Sequence, residues 1–193
     1  LIWTSGCQQP EPLTVADLYG DNMVIQADAP IHIWGSGTPG AQVQALFRDQ
    51  EISGRISGDG LWNLELDPES YSPPSGESDS LVIRSGSDRQ VFRNVLVGEV
   101  WVCSGQSNME MPLIKVSKAY TGVKDAAKEV REANYPNIRL FQAGNFSSKE
   151  PLDDAQTGIT MYGIPPAACR WQACSPETVP TFSSTAYFFA RKL

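Results

Sequence analysis

An apolar run that stops abruptly in a small polar loop constrains this chain more than any other feature. Val97-Gly98-Glu99-Val100-Trp101-Val102-Cys103 carries a single charge and is followed at once by Ser104-Gly105-Gln106-Ser107-Asn108-Met109-Glu110. So short a run, dominated by Val, Trp and Cys, reads as a strand over 97–103 buried on both faces in a parallel sheet. Ligands of such sheets sit beyond the carboxyl ends of the strands, where Ser107 falls. That is how an enzyme presents a nucleophile. A plainer reading stands beside it: Ser107 caps the next helix, with Glu110 three residues on completing a capping box. Met109 occupies the position of the second glycine in a Gly-x-Ser-x-Gly elbow, which argues against an α/β-hydrolase nucleophile turn.

The two sides of this feature differ in pattern. Before it come β-rich runs at 23–26, 31–35, 42–47, 51–57, 61–66, 80–83 and 90–95, with turn signals at Gly37-Thr38-Pro39-Gly40 and Gly58-Asp59-Gly60. Strands at that spacing suggest an antiparallel sandwich, and Trp62, Leu64 and Leu66 alternating with Leu61, Asn63 and Glu65 suggest half-burial. Residues 71–79, with two prolines, read as a surface loop. After it, Val123, Ala126, Ala127 and Val130 line one face of a helix expected over 123–133, and a strand is expected over 138–142. Residues 144–180 show no clean periodicity and read as a long functional loop region, and a helix is expected over 182–193. Strand, serine loop, helix and strand is how a doubly wound α/β domain begins.

Gly105-Gln106-Ser107-Asn108-Met109-Glu110, entered from Gly98-Glu99-Val100-Trp101-Val102-Cys103-Ser104, closely resembles the first sequence block of the sialate O-acetylesterase family. Further blocks fall in the family's order. They are Asn22-Met23-Val24-Ile25-Gln26, Ile33-Trp34-Gly35 with Pro39-Gly40, Asn137-Ile138-Arg139-Leu140-Phe141, Trp171, Cys174-Ser175-Pro176-Glu177-Thr178, and 182–189. The resemblance covers roughly residues 18–193. It implies an SGNH-type serine esterase that removes acetyl groups from sugars. The implied fold is a β-sandwich N-terminal domain (18–96) followed by the start of an α/β/α, flavodoxin-like SGNH-hydrolase domain (97–193), incomplete, with 1–17 a tail or signal remnant. By resemblance Ser107 is the nucleophile and its backbone N–H one oxyanion donor, while Gln106 and Asn108 shape the loop and border the binding site.

A serine hydroxyl needs a base within hydrogen-bond reach, and an acid to orient that base. The sequence holds one histidine, His32, in Pro30-Ile31-His32-Ile33-Trp34-Gly35, a segment of the β-rich region that makes it a poor base for Ser107. In SGNH esterases the base and acid come from an Asp-x-x-His motif late in the catalytic domain, and this sequence contains none. The chain is therefore expected to be the N-terminal part of a longer esterase, catalytically silent alone.

Composition excludes some partners. With 41% hydrophobic and 19% charged residues the chain is expected to form a globular core. A net charge of −7 argues against nucleic acid or an anionic membrane surface. No apolar run approaches the ~18 residues of a membrane span. The expected partner is an O-acetylated sugar or glycan, and acyl transfer requires neither metal nor organic cofactor. Leu1-Ile2-Trp3-Thr4-Ser5-Gly6-Cys7 has the look of a signal-peptide end before a lipid-modified cysteine, with an ordinary export or cloning boundary as the other reading; the expected location is periplasmic or secreted. Of the four cysteines, Cys169 and Cys174 either bridge or are both free, and Cys103 is read as an apolar filler on a central strand. Trp34, Trp62, Trp101 and Trp171 are candidates for sugar stacking, with core packing expected for most. Against the esterase stands a reading from another class, a non-catalytic β-sandwich module, sugar-binding or architectural.

Overall fold

The computed structural model describes residues 11–69, 79–144, 149–151 and 170–193. Expectations for Cys7 and the start of the chain, the loop 71–78, Cys169 and most of 144–180 lie outside the described residues.

The β-rich half forms near the expected runs, with one further strand ahead of them at Thr14–Val15, inside the stretch expected to be a tail. Its strands are β1 (Thr14–Val15), β2 (Val24–Gln26), β3 (Ile31–Ser36), β4 (Gln42–Phe47), β5 (Gln50–Arg55), β6 (Leu61–Leu66), β7 (Asp79–Ser85) and β8 (Asp88–Gly98). They make a three-stranded sheet in the order β1-β3-β6 and a five-stranded sheet in the order β2-β8-β7-β4-β5. All pairings are antiparallel except β2 with β8, where Val24 lies beside Leu96. Period-two alternation places Ile31 and Ile33 of β3, Trp62, Leu64 and Leu66 of β6, Val43, Ala45 and Phe47 of β4, and Leu81 and Ile83 of β7 in one continuous core. Residues of both sheets thus bury one another. The sheets meet where β5 passes β6: a Cβ on Gly54 would stand 2.8 Å from Leu64 Cδ2, so the absent side chain lets the leucine close that corner. Gly35 does the same between β1 and β6, since a Cβ there would stand 2.0 Å from the Thr14 carbonyl oxygen.

The tight turn between β4 and β5 puts Arg48 at φ 52°, a left-handed conformation unusual for arginine. Its guanidinium is anchored by Glu69 and Asp79, each at 2.7 Å, which holds the turn against that cost.

The second half departs from expectation. The strand expected over 97–103 ends at Gly98, and residues 99–105 are irregular, with Trp101 56% and Val102 92% exposed. A strand persists only when its backbone groups find a ladder, and among the described residues no strand lies alongside this segment. Among the described residues, therefore, no parallel sheet forms around 99–103. Cys103, expected as a packed filler, is an exposed free thiol for the same reason. The next strand, β9 (Tyr135–Leu140), starts earlier than expected and pairs antiparallel with β10 (Gln172–Cys174). Pro136 offers no N–H, and the register accordingly jumps from Arg139 opposite Ala173 to Tyr135 opposite Cys174.

Among the described residues three helices accompany this ribbon: α1 (Ser107–Glu110), α2 (Ala126–Glu132) and α3 (Ser184–Ala190). Helix α2 begins three residues later than expected because Gly122 (φ 75°) and Asp125 (φ 57°) turn the chain just before it. Helix α3 is capped by the Ser183 hydroxyl, which accepts from the Ala186 amide at 3.2 Å, so it starts two residues later than expected. A second, smaller core of Leu113, Ala133, Leu140, Cys174, Val179 and Tyr187 joins ribbon, helices and the chain following α1.

Candidate active site

Ser107 opens α1, a single helical turn on the surface. Gln106 at φ −109° is the residue preceding the helix, and its carbonyl accepts from the amides of Met109 (2.8 Å) and Glu110 (3.3 Å). The capping box is not formed: Ser107 stands inside the helix, no side chain caps it, and Glu110 instead accepts from the Tyr120 hydroxyl at 2.6 Å. The Ser107 and Asn108 amides belong to the first turn, whose N–H groups have no intrahelical acceptor. Ser107, Gln106 and Asn108 are all exposed. No hydrogen bond engages the Ser107 hydroxyl among the described residues.

Helix α3 is the buttress of this turn. Thr185 Oγ1 donates to the Asn108 carbonyl at 3.0 Å, and the Ser184 amide donates to the Met111 carbonyl at 2.8 Å. Pro112 and Ser183 form an antiparallel bridge, and the Ile114 amide donates to the Pro180 carbonyl at 3.1 Å. Tyr187 of α3 is fully buried in the smaller core beside Leu113, so the serine turn is tied to packed structure. Beside it, Trp101 meets Phe189 of α3 edge-on, ring centroids 5.2 Å apart.

The structure does not bring His32 to this turn. It lies exposed on β3, in the three-stranded sheet, with Nδ1 3.3 Å from Glu65 Oε2 on β6. The tryptophans separate: Trp62 is buried with its indole N–H donating to the Ser36 carbonyl at 3.0 Å, Trp34 packs edge-on against Tyr19, Trp171 is half-buried, and Trp101 is exposed. Cys174 is a buried free thiol, and that burial pushes its pKa up to about 11. Among the described residues no cluster of His, Cys, Asp and Glu is arranged to hold a metal ion, and no helix is long and apolar enough to cross a membrane.

Sequence reasoning missed the buttressing role of Thr185 and the Glu110–Tyr120 bond. Both join segments distant in sequence or across an irregular loop, and no periodicity announces such pairs.

The described fold matches part of a solved carbohydrate acetylesterase from Xanthomonas citri at TM-score 0.79 and 27% identity, over 94% of this chain and 37% of that one. No protein-family model matches the chain. The chain is a homologue of the sialate O-acetylesterases. It is 32% identical to the mouse enzyme over 144 residues, 70% of this chain and 26% of the mouse protein. To the human enzyme it is 27% identical over 146 residues, 72% of this chain and 27% of the human one. It therefore spans about a quarter of the length of these relatives.

Proposed function

We propose that this chain is the N-terminal part of a carbohydrate O-acetylesterase in which Ser107 is the nucleophile. One observation carries the reading: Ser107 stands at the start of an exposed helical turn held from behind by α3, in a chain homologous to sialate O-acetylesterases. Residues 18–96 are read as a β-sandwich domain and 97–193 as the first part of an SGNH-type α/β/α domain, the exposed 99–105 segment becoming a strand once neighbours pair with it.

The chemistry is acyl transfer. Ser107 Oγ attacks the acetyl carbonyl of a sugar ester while its proton passes to a base, and the carbonyl oxygen takes the negative charge. The Ser107 N–H points into no helical bond and donates to that oxyanion. Collapse expels the sugar hydroxyl, which takes the proton back from the base, and water then hydrolyses the acetyl-enzyme. No metal or organic cofactor enters this balance. His32, paired with Glu65 on β3, is not the base, so an acid–base pair outside these 193 residues supplies that function. The 193 residues alone are then silent, since losing the triad's base or its nucleophile costs roughly 10⁶ in rate. Gln106 and Asn108 act through the loop: the Gln106 carbonyl closes the turn, and the Asn108 carbonyl docks it on Thr185. A periplasmic or secreted location suits an O-acetylated glycan as substrate.

The test is acetate release from O-acetylated sialic acid and p-nitrophenyl acetate by the longer reading frame, its Ser107→Ala form and the 193-residue chain. Activity confined to the longer Ser107 protein is the expected result. Equal activity after Ser107→Ala overturns the assignment, and silence in every form favours a non-catalytic module.

A further inference from the structure

Three irregular features converge at one point between the β-rich half and the ribbon that carries the smaller core. The first is Asn94, at φ 58°, in the bulge of β8 where pairing shifts between Asp79 opposite Val95 and Leu81 opposite Phe92. The second is Asn22, at φ 67° in the turn before β2. The third is the Arg139 guanidinium, reaching from β9 into the space between them. Asn94 Nδ2 donates to Asn22 Oδ1 at 2.6 Å, which leaves Asn94 Oδ1 free to accept from Arg139 Nη2 at 3.2 Å. Arg139 Nη1 donates to Asn22 Oδ1 at 3.3 Å and approaches the Asn22 carbonyl at 3.5 Å.

Every one of these acceptors is neutral. Among the described residues Arg139 has no carboxylate partner, its Nε is buried without a hydrogen bond, and burial lowers its pKa. Arg139 is half-buried, and taking even part of a cation's hydration away on amide oxygens is costly. Left-handed asparagines and a bulge persist where surrounding structure over-determines them, and bulges re-aim side chains. Here both asparagines turn their side chains to one guanidinium. A second fastening lies close by in sequence: Trp171, next to β10, donates its indole N–H to the Leu18 carbonyl at 2.8 Å and packs against the larger core.

We propose that Arg139, seated on Asn22 and Asn94, is a locked joint that makes the β-rich half and the Ser107-bearing half one rigid body. Adjoining units within a chain move relative to one another unless a strong interface prevents it. The lock acts on the ribbon, because Leu140, next to Arg139, and Cys174 of β10 belong to the core that holds Leu113 and Tyr187, and hence α1 and α3. The β-rich half is thereby an integral support of the serine turn and not a module swinging on a tether. This inference rests on the joint alone and stands whether or not Ser107 is a nucleophile.

Native-state hydrogen exchange on the chain tests it. Arg139→Met is expected to raise the opening constant of the β9 and β10 amides on the order of tenfold or more, the scale of hydrogen bonds to a charged group, while β4 and β7 keep their protection. Asn94→Gly keeps the left-handed backbone and deletes the acceptor, so it carries the test if Arg139→Met fails to fold, with the same ribbon-specific loosening expected. The double variant is expected to loosen the ribbon no more than Arg139→Met alone, because both changes break one contact. Unchanged ribbon exchange in either folded variant, or fold-changes that multiply in the double variant, would overturn the joint.

Discussion

Tyr187→Ala tests how the serine turn is supported. The side chain is 0% exposed, and its ring stands 6.3 Å from Tyr135 and 5.2 Å from Phe188, centroid to centroid. The Arg191 guanidinium lies 5.2 Å from the ring centroid and also ion-pairs with Glu129. Truncating a buried aromatic to alanine costs roughly 3–5 kcal/mol, and the lost cation–π contact adds about 0.5–1 kcal/mol. That is a large part of the ~5–15 kcal/mol by which a domain is stable. The smaller core has few members to share the loss. Tyr187→Phe keeps the ring and gives up only a long bond from Arg191 Nη1 at 3.4 Å, so it is expected to cost less than about 1 kcal/mol. Urea unfolding followed by circular dichroism gives both values, and hydrogen exchange shows whether the loss concentrates in α3 and the ribbon. Equal destabilisation by Phe and Ala would refute the view that ring packing holds α3 in place.

Gly35→Ala is expected to destabilise by at least ~2 kcal/mol in the same urea assay, because its Cβ would meet the Thr14 carbonyl oxygen at 2.0 Å and backbone cannot yield as a side chain can. In the native chain, iodoacetamide is expected to modify exposed Cys103 and spare buried Cys174, as read by peptide mapping. Cys174 also predicts a pH effect. Its folded pKa of about 11 lies above the ordinary 9.0, so its contribution is fully present below pH 9 and is lost as pH rises through 11; Cys174→Ala should flatten stability over that window. His32→Ala is expected to leave esterase activity of the longer protein unchanged and to shift stability by less than ~1 kcal/mol, since the Glu65 pair is solvent-exposed.

The β-rich half was legible because alternation there coincides with burial. Trp62, Leu64 and Leu66 face the core and Leu61, Asn63 and Glu65 face outward, and β4 and β6 begin and end where the pattern does. The second half was less so, because its pattern describes partners that the described structure does not contain. Val100, Trp101 and Val102 read as a buried strand, yet without a neighbouring ladder they stand exposed. The antiparallel ribbon was hidden because β10 has only three residues and emerges from a stretch without periodicity. Ser107 was singled out by its place after an apolar run and by the family-like block around it, whereas Arg139 was visible only as part of such a block. Nothing in Asn-Ile-Arg-Leu-Phe announces that its guanidinium reaches two left-handed asparagines far upstream.

The central claim is that Ser107 becomes an activated nucleophile, and its covalent capture tests that most directly. The longer protein would be treated with a fluorophosphonate, which bonds only to a serine whose proton a base removes, and the modified peptide identified by mass spectrometry. The account predicts a single phosphonyl adduct on Ser107, absent from the 193-residue chain. An adduct on a different serine, or an acetate-releasing enzyme whose Ser107 stays unmodified, would contradict it.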